Sequence, residues 1–154
     1  MENLAARDNP QSIQIAAAIL QDEQGRVLLG RRPQRPQDSC AGLWEFPGGK
    51  IEAGESQSQC LERECWEELN VQVRLVRLYD TVHHIYPEHR VQVYFWLGKI
   101  ETGEAKALVH DELRWVGQRD LADYAFCPAN AAIVQRLAAE ASQNEVTKTA
   151  QQLQ

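Results

Sequence analysis

Three glutamates, Glu64, Glu67 and Glu68, stand at i, i+3 and i+4 of a segment with helical periodicity. That spacing projects their carboxylates from one face of a helix. Like charges so placed repel by roughly a few tenths of a kcal/mol per pair. They also fall in the C-terminal half of the helix, where the dipole disfavours anions by about 0.3–1 kcal/mol each. Arg63 is the one local cation. Taken alone, the trio reads as a solvated acidic face. Clustered oxygen ligands also suit Mg²⁺ or Mn²⁺, which prefer carboxylates, water and substrate phosphates. A metal would remove both costs and supply the positive charge needed to hold a polyphosphate, and the lack of sign alternation favours it.

The elements that must position these groups are legible around them. Ser56 to Leu69 is the clearest helix: Ser56 is a good N-cap and Gln59, three residues on, completes a capping box. Leu61, Cys65 and Leu69 form an apolar stripe, and Asn70 takes the position where a left-handed cap is favoured. Just before it, Gly48-Gly49-Lys50 follows the short strand that starts at Trp44. Its glycines either let backbone approach a ligand closely or simply make a turn. Ile13 to Leu20 and Arg26 to Arg32 read as strands joined at Asp22-Glu23-Gln24-Gly25, and Pro33 to Ala41 as a loop. Val71 to His84 and Arg90 to Ile100 read as a hairpin turning at Tyr86-Pro87-Glu88-His89, and Leu113 to Val116 as a further strand. Ala129 to Ala141 reads as a closing helix with Ile133, Val134 and Leu137 inward. One domain is expected over 13–141, with a loose leader over 1–12 and a frayed tail over 142–154.

The 154 residues, 44% hydrophobic and 25% charged, suit one compact globular domain. Apolar runs are far shorter than a membrane span, and Met1-Glu2-Asn3-Leu4 lacks the basic start of a signal peptide, so cytoplasmic residence is expected. A net charge of −6 disfavours a nucleic-acid polymer as partner. It leaves room for a small anion bridged by a divalent cation. Cys40, Cys60, Cys65 and Cys127 lack C-x-x-C spacing, so a structural zinc site is not expected; in a reducing compartment they read as free thiols, with Cys60 and Cys65 as core filler.

Read together, Gly49 to Val71 resembles the signature of the Nudix hydrolase family, G-x5-E-x7-R-E-U-x-E-E-x-G-U, where U is apolar. Gly49, Glu55, Arg63, Glu64, Glu67, Glu68 and Val71 stand at the required spacings. Cys65 replaces an aliphatic residue, and Asn70 replaces a glycine whose left-handed conformation asparagine can adopt. The similarity extends over Ile13 to Ala138, and Leu43 to Glu52, Val93 to Leu97 and Phe126 to Asn130 resemble the MutT branch. That branch removes oxidised guanine nucleotides, chiefly 8-oxo-dGTP, from the nucleotide pool and so belongs to DNA repair in the wide sense. The resemblance implies an α/β fold, an α/β/α sandwich around a mixed sheet. It implies that Glu64, Glu67 and Glu68 bind Mg²⁺, with Mn²⁺ as the other candidate, helped by the carbonyl of Gly48. Glu55 and Arg63 are implied as supporting members, and Asn130 as the amide that reads the oxidised base. Phe46, Ile13 and His89 fall near the nucleotide in that branch, and Arg32 matches an arginine on the phosphate or sugar side. One position departs: Val109 stands where many relatives carry a glutamate that serves as a further ligand or base, leaving Asp111, Glu112 or the helix alone for that role.

The implied chemistry is substitution by water at a phosphorus inside the phosphate chain, giving a nucleoside monophosphate and pyrophosphate, with Glu67 or Glu68 nearest the water. A preference for CTP or dCTP keeps the chemistry and changes the base; a nucleotide-binding regulator without turnover is the reading from another class. Other residues have plainer accounts. Asn130 opens a helix, where asparagine commonly caps, and Tyr94, Phe95 and Trp96 read as sheet residues. Trp44 fits either a packing or a ligand role. His83, His84 and His110 read as surface or hydrogen-bonding groups. The partner expected is a small nucleotide, and the protein a monomer or homodimer.

Overall fold

The computed structural model describes residues 12–153. The expected leader lies outside that range, except for Ser12, which already belongs to a strand. That strand, β1 (Ser12–Leu20), is central to a four-stranded mixed sheet in the order β4-β1-β6-β5. It pairs in parallel with β6 (Arg90–Thr102) and antiparallel with β4 (Gly48–Lys50), while β5 (Gln72–Ile85) pairs antiparallel with β6. Successive side chains of a strand point to opposite faces, and β1 is apolar on both. Ala16, Ala18 and Leu20 join one core with Leu61, Cys65 and Leu69 of helix α1 (Gln57–Leu69). Ala17 and Ile19 join the other core with Ile133, Val134 and Leu137 of helix α2 (Ala131–Gln152). A helix therefore covers each face, giving the α/β/α sandwich expected from the resemblance.

A second, three-stranded antiparallel sheet was not foreseen. It has the order β3-β2-β7, from β2 (Val27–Arg31), β3 (Trp44–Glu45) and β7 (Glu112–Val116). The Trp44–Lys50 segment links the two sheets. Pro47 has no N–H to give a ladder, so the strand breaks at Phe46-Pro47; β3 stays with β2, and β4 crosses to β1.

Helix α1 has both halves of the expected capping box, Ser56 Oγ accepting from Gln59 N at 3.1 Å and Gln59 Oε1 from Ser56 N at 2.9 Å. Asn70 closes it in the left-handed conformation, at φ 58° and ψ 40°. Three expectations need correction. The closing helix starts at Ala131 after a 3-10 turn over Pro128–Asn130, and it does not fray at Ser142 but continues to Gln152. Helix-forming Ala, Gln and Glu let it run on beyond its buried stretch. A further 3-10 turn, Gln118–Asp123, buries Leu121. Cys40 and Cys127 are not free thiols: they form a disulfide with a Cα–Cα distance of 5.3 Å, because the fold brings together residues separated by 87 positions. Cys60 and Cys65 are free and buried, as core filler should be. No helix of the described residues is long and apolar enough to cross a membrane.

Candidate active site

Arg63 organises the exposed side of α1. Its Nε and Nη2 donate to the two carboxylate oxygens of Glu55 at 2.8 and 2.9 Å, and Nη1 donates to Glu64 at 2.8 Å and Glu67 at 3.3 Å. Nη2 also donates to the Lys50 carbonyl at 3.1 Å, tying the helix to β4. The Arg63 hydrogen bonds are the main cause that holds the Glu55 carboxyl down to about 2. Reciprocally, the bond to Glu55 outweighs desolvation and raises the Arg63 guanidinium above its usual range. Arg63 thus offsets much of the repulsion within the acidic trio.

Among the described residues, Glu68 is paired with no cation in this way. It is buried at 9% exposure, with Gly48 N donating to Oε2 at 3.4 Å. Burial first, then the charges of Glu45 and Glu64, push its carboxyl well above the usual range. A carboxylate cluster that is part-buried and short of positive charge has the donor chemistry of a hard divalent cation. Gly49 contributes by having no side chain: a Cβ there would meet the Glu64 carboxylate carbon at 2.5 Å. Among the described residues, no three acidic, His or Cys side chains already surround a common point. The donor set fits a divalent metal, with Arg63 now holding two of its members.

Beside this cluster opens a cavity of about 270 Å³. Gly48, Gly49, Lys50 and Glu45 form the wall it shares with the acidic helix. Four of the residues expected near a nucleotide line it: Phe46, Arg32, His89 and Asn130. Ile13 does not; Ile15, on the same face of β1 and two residues further along, takes that place. Phe46 is buried and packs edge-on against Phe95, with centroids 6.0 Å apart. Asn130 is buried, and its Nδ2 donates to the Cys127 carbonyl at 3.1 Å. It stands at the N-cap position of α2, as a helix-opening asparagine would, but its side chain makes no capping hydrogen bond there. Arg32 is engaged, its Nη2 lying 2.7 Å from Asp38 and its Nη1 3.2 Å from Glu45. Against the cost of burial, these carboxylates hold its guanidinium above the usual range.

Several site residues carried no signal in the sequence. Asp38, Ser39 and Cys40 come from a loop without periodicity, yet line the cavity. Tyr86 reaches it from the hairpin turn, its hydroxyl accepting from Ala129 N at 2.9 Å. In the segment of the missing glutamate, Val109 is 45% exposed and Glu112 is taken up by Arg114 and Arg31. His110 is the member that turns inward: it is buried, and its Nε2 lies 3.1 Å from Glu45 Oε1. Only a residue without a side chain fits opposite, since a Cβ on Gly30 would meet the His110 ring at 2.5 Å. Trp44 packs edge-on to Tyr124 and under Arg114, and it does not line the cavity.

Residues 16–136 match the NUDIX domain model. The chain is 38% identical over 125 residues to an 8-oxo-dGTP diphosphatase of Haemophilus influenzae, covering 81% of this chain and 90% of that protein. It is 33% identical over 118 residues to a CTP pyrophosphohydrolase of Escherichia coli K12, covering 77% and 85%. Among solved structures, the E. coli ORF135 protein aligns with a TM-score of 0.69 at 31% identity, over 81% of this chain and 87% of that one. The fold also matches a MutT protein of Methanosarcina mazei Go1, with a TM-score of 0.74 at 24% identity over 86% and 96%. With the signature on α1, the matched domain and these relatives in agreement, the chain belongs to the Nudix hydrolase family, among its MutT-like members.

Proposed function

We propose that this protein is a Mg²⁺-dependent 8-oxo-dGTP diphosphatase, converting 8-oxo-dGTP and water to 8-oxo-dGMP and pyrophosphate. The observation that carries the proposal is the joining of two features through one short strand. Glu68, buried among carboxylates, meets β4 on one side, and the cavity holding Phe46 and Asn130 meets it on the other. Nudix hydrolases generally use a divalent metal. Here Glu64, Glu67 and Glu68 would hold it, with the carbonyl of Gly48. When bound, such an ion neutralises phosphate oxygens and acidifies a water.

The chain's own residues do the rest. Arg63, fixed by Glu55, sets the direction of the Glu64 and Glu67 carboxylates. Glu67 or Glu68 takes a proton from the attacking water as its oxygen bonds to phosphorus and the bond within the phosphate chain breaks. Glu67, 55% exposed on its side chain, is open to water, whereas Glu68 is buried. Phe46 offers an apolar surface to the base. Asn130 can both donate and accept at the base edge, as an oxidised purine requires. Arg32 is held in place by Asp38 and Glu45, so it meets a sugar or phosphate oxygen as a positioned N–H donor rather than as a free charge.

The relative named for CTP keeps a second reading in view, in which the same chemistry acts on a pyrimidine. Pyrophosphate release from 8-oxo-dGTP, dGTP, dCTP and CTP, each with Mg²⁺ at low substrate concentration, separates the readings. The expected result is a kcat/KM for 8-oxo-dGTP far above that for dGTP, with the ratio collapsing in Asn130→Ala. A leading pyrimidine nucleotide would overturn the base assignment. No release from any of them would bring forward a binding protein without turnover.

A further inference from the structure

The loop between β2 and β3 forms one wall of the cavity, and it is fastened at two points. At its start, Arg32 grips Asp38, donating from Nε at 3.0 Å and Nη2 at 2.7 Å, and Asp38 Oδ1 accepts from Cys40 N at 3.0 Å. At its end, Cys40 is covalently joined to Cys127. Cys127 leads directly into the turn Pro128–Asn130, and its carbonyl accepts from both the backbone N and the side-chain Nδ2 of Asn130. The disulfide therefore joins the wall carrying Asp38 and Ser39 to the residue that holds Asn130. Both cysteines line the cavity, and the Tyr86 hydroxyl lies 3.0 Å from the Cys127 sulfur. Beyond the disulfide, Ser39 Oγ donates to Glu88 at 3.3 Å across the same opening, an exposed contact of little strength.

We propose that Cys40 and Cys127 form a thiol–disulfide modification site that tunes nucleotide affinity, the bridged form holding the cavity wall against the Asn130 turn and the dithiol form releasing it. This rests on reading the cavity as the nucleotide pocket. Closure needs a peroxide: one thiol is oxidised to a sulfenic acid with loss of water. The second thiol then attacks that sulfur, forming the S–S bond and releasing a second water. Opening needs two equivalents of a small thiol. The first attacks one sulfur and expels the other cysteine as a thiolate, which takes up a proton. The second resolves the mixed disulfide, so two thiols are restored and the reductant leaves as its own disulfide. Cys60 and Cys65 are set apart from this chemistry: they are 0% exposed, unpaired and absent from the cavity lining, whereas Cys40 and Cys127, 6% and 8% exposed, open onto the cavity. The conditions that oxidise a guanine base are those that close the bridge, so the pocket would be best ordered when its substrate is being formed.

The test uses the full chain in two forms, one treated with hydrogen peroxide and one with a dithiol reductant, each then freed of reagent. Alkylation after unfolding, read by intact mass, should find two thiols in the first and four in the second, from the chain's four cysteines. On reduction, KM for 8-oxo-dGTP should rise about three- to tenfold, the scale of ordering one further side chain on binding, with kcat unchanged. Cys40→Ser and Cys127→Ser should match the reduced form after either treatment. Four thiols after peroxide, or equal KM in the two forms, would overturn the proposal. Should neither form turn over any nucleotide, the proposed activity fails separately. The affinity of each form for 8-oxo-dGTP by calorimetry then decides: a difference that tracks the thiol count supports the site, and equal affinities overturn it.

Discussion

Arg63 is the residue on which the acidic helix depends. It binds Glu55 through two nitrogens and spends a third on Glu64 and Glu67, and a fork of this shape matches carboxylates in a way a lysine does not. Arg63→Lys should therefore fail to rescue the loss in Arg63→Ala. Both should lower kcat by about 10- to 100-fold, the scale for residues that orient metal ligands, and steady-state kinetics at saturating Mg²⁺ checks this. Glu55 offers a second test through its titration. Its carboxyl falls from 4.5 to about 2 in the folded protein, so the folded state favours the ionised form. Its stabilising contribution is present above pH 4.5 and lost as pH falls through about 2. Thermal melts of wild type and Glu55→Gln should accordingly differ at neutral pH and converge toward pH 2; a gap that stays constant would contradict the pairing.

At the scale of elements, β4 does two separable jobs with two adjacent glycines. A Cβ on Gly48 would run into the Ala16 carbonyl and the Ala17 Cα of β1, backbone that cannot yield. A Cβ on Gly49 would meet the end of the Glu64 side chain, which can move but would leave Arg63 to do so. Gly48→Ala should thus lower the melting temperature strongly, while Gly49→Ala should melt near wild type and lose kcat. Denaturation and kinetics on the same two preparations separate the effects. The α1 boundaries were readable from sequence because capping is local: Ser56, Gln59 and Asn70 act within a few residues of one another. The far end of α2 was not. Its residues after Ala141 are exposed, so no apolar stripe marks them; propensity, with an ion pair from Arg119 to Glu145 at 2.6 Å, carries the helix to Gln152.

Across the whole molecule, β1 was legible as a strand in its apolar run, whereas the sandwich followed from the family resemblance, and the helix packed on each face of the sheet bears it out. The partition into two sheets was not, because it turns on which strand each half of Trp44–Lys50 pairs with, and pairing is a tertiary outcome. The same holds for the site. The acidic helix was readable from spacing within one element. The Cys40–Cys127 bridge and the His110–Glu45 contact join residues 87 and 65 positions apart, with no local pattern to announce them. What the fold achieves is to bring a part-buried carboxylate cluster, two of its members held by Arg63, to the edge of a cavity of about 270 Å³. The most direct measurement is the rate of pyrophosphate release from 8-oxo-dGTP across a Mg²⁺ titration, for wild type beside Glu68→Gln. A metal held by Glu68 requires saturable Mg²⁺ dependence in the wild type and a kcat lower by about 10²-fold or more in the variant, the scale for losing one preorganised charge-stabilising group. Turnover without a divalent ion, or an undiminished rate in Glu68→Gln, would contradict it.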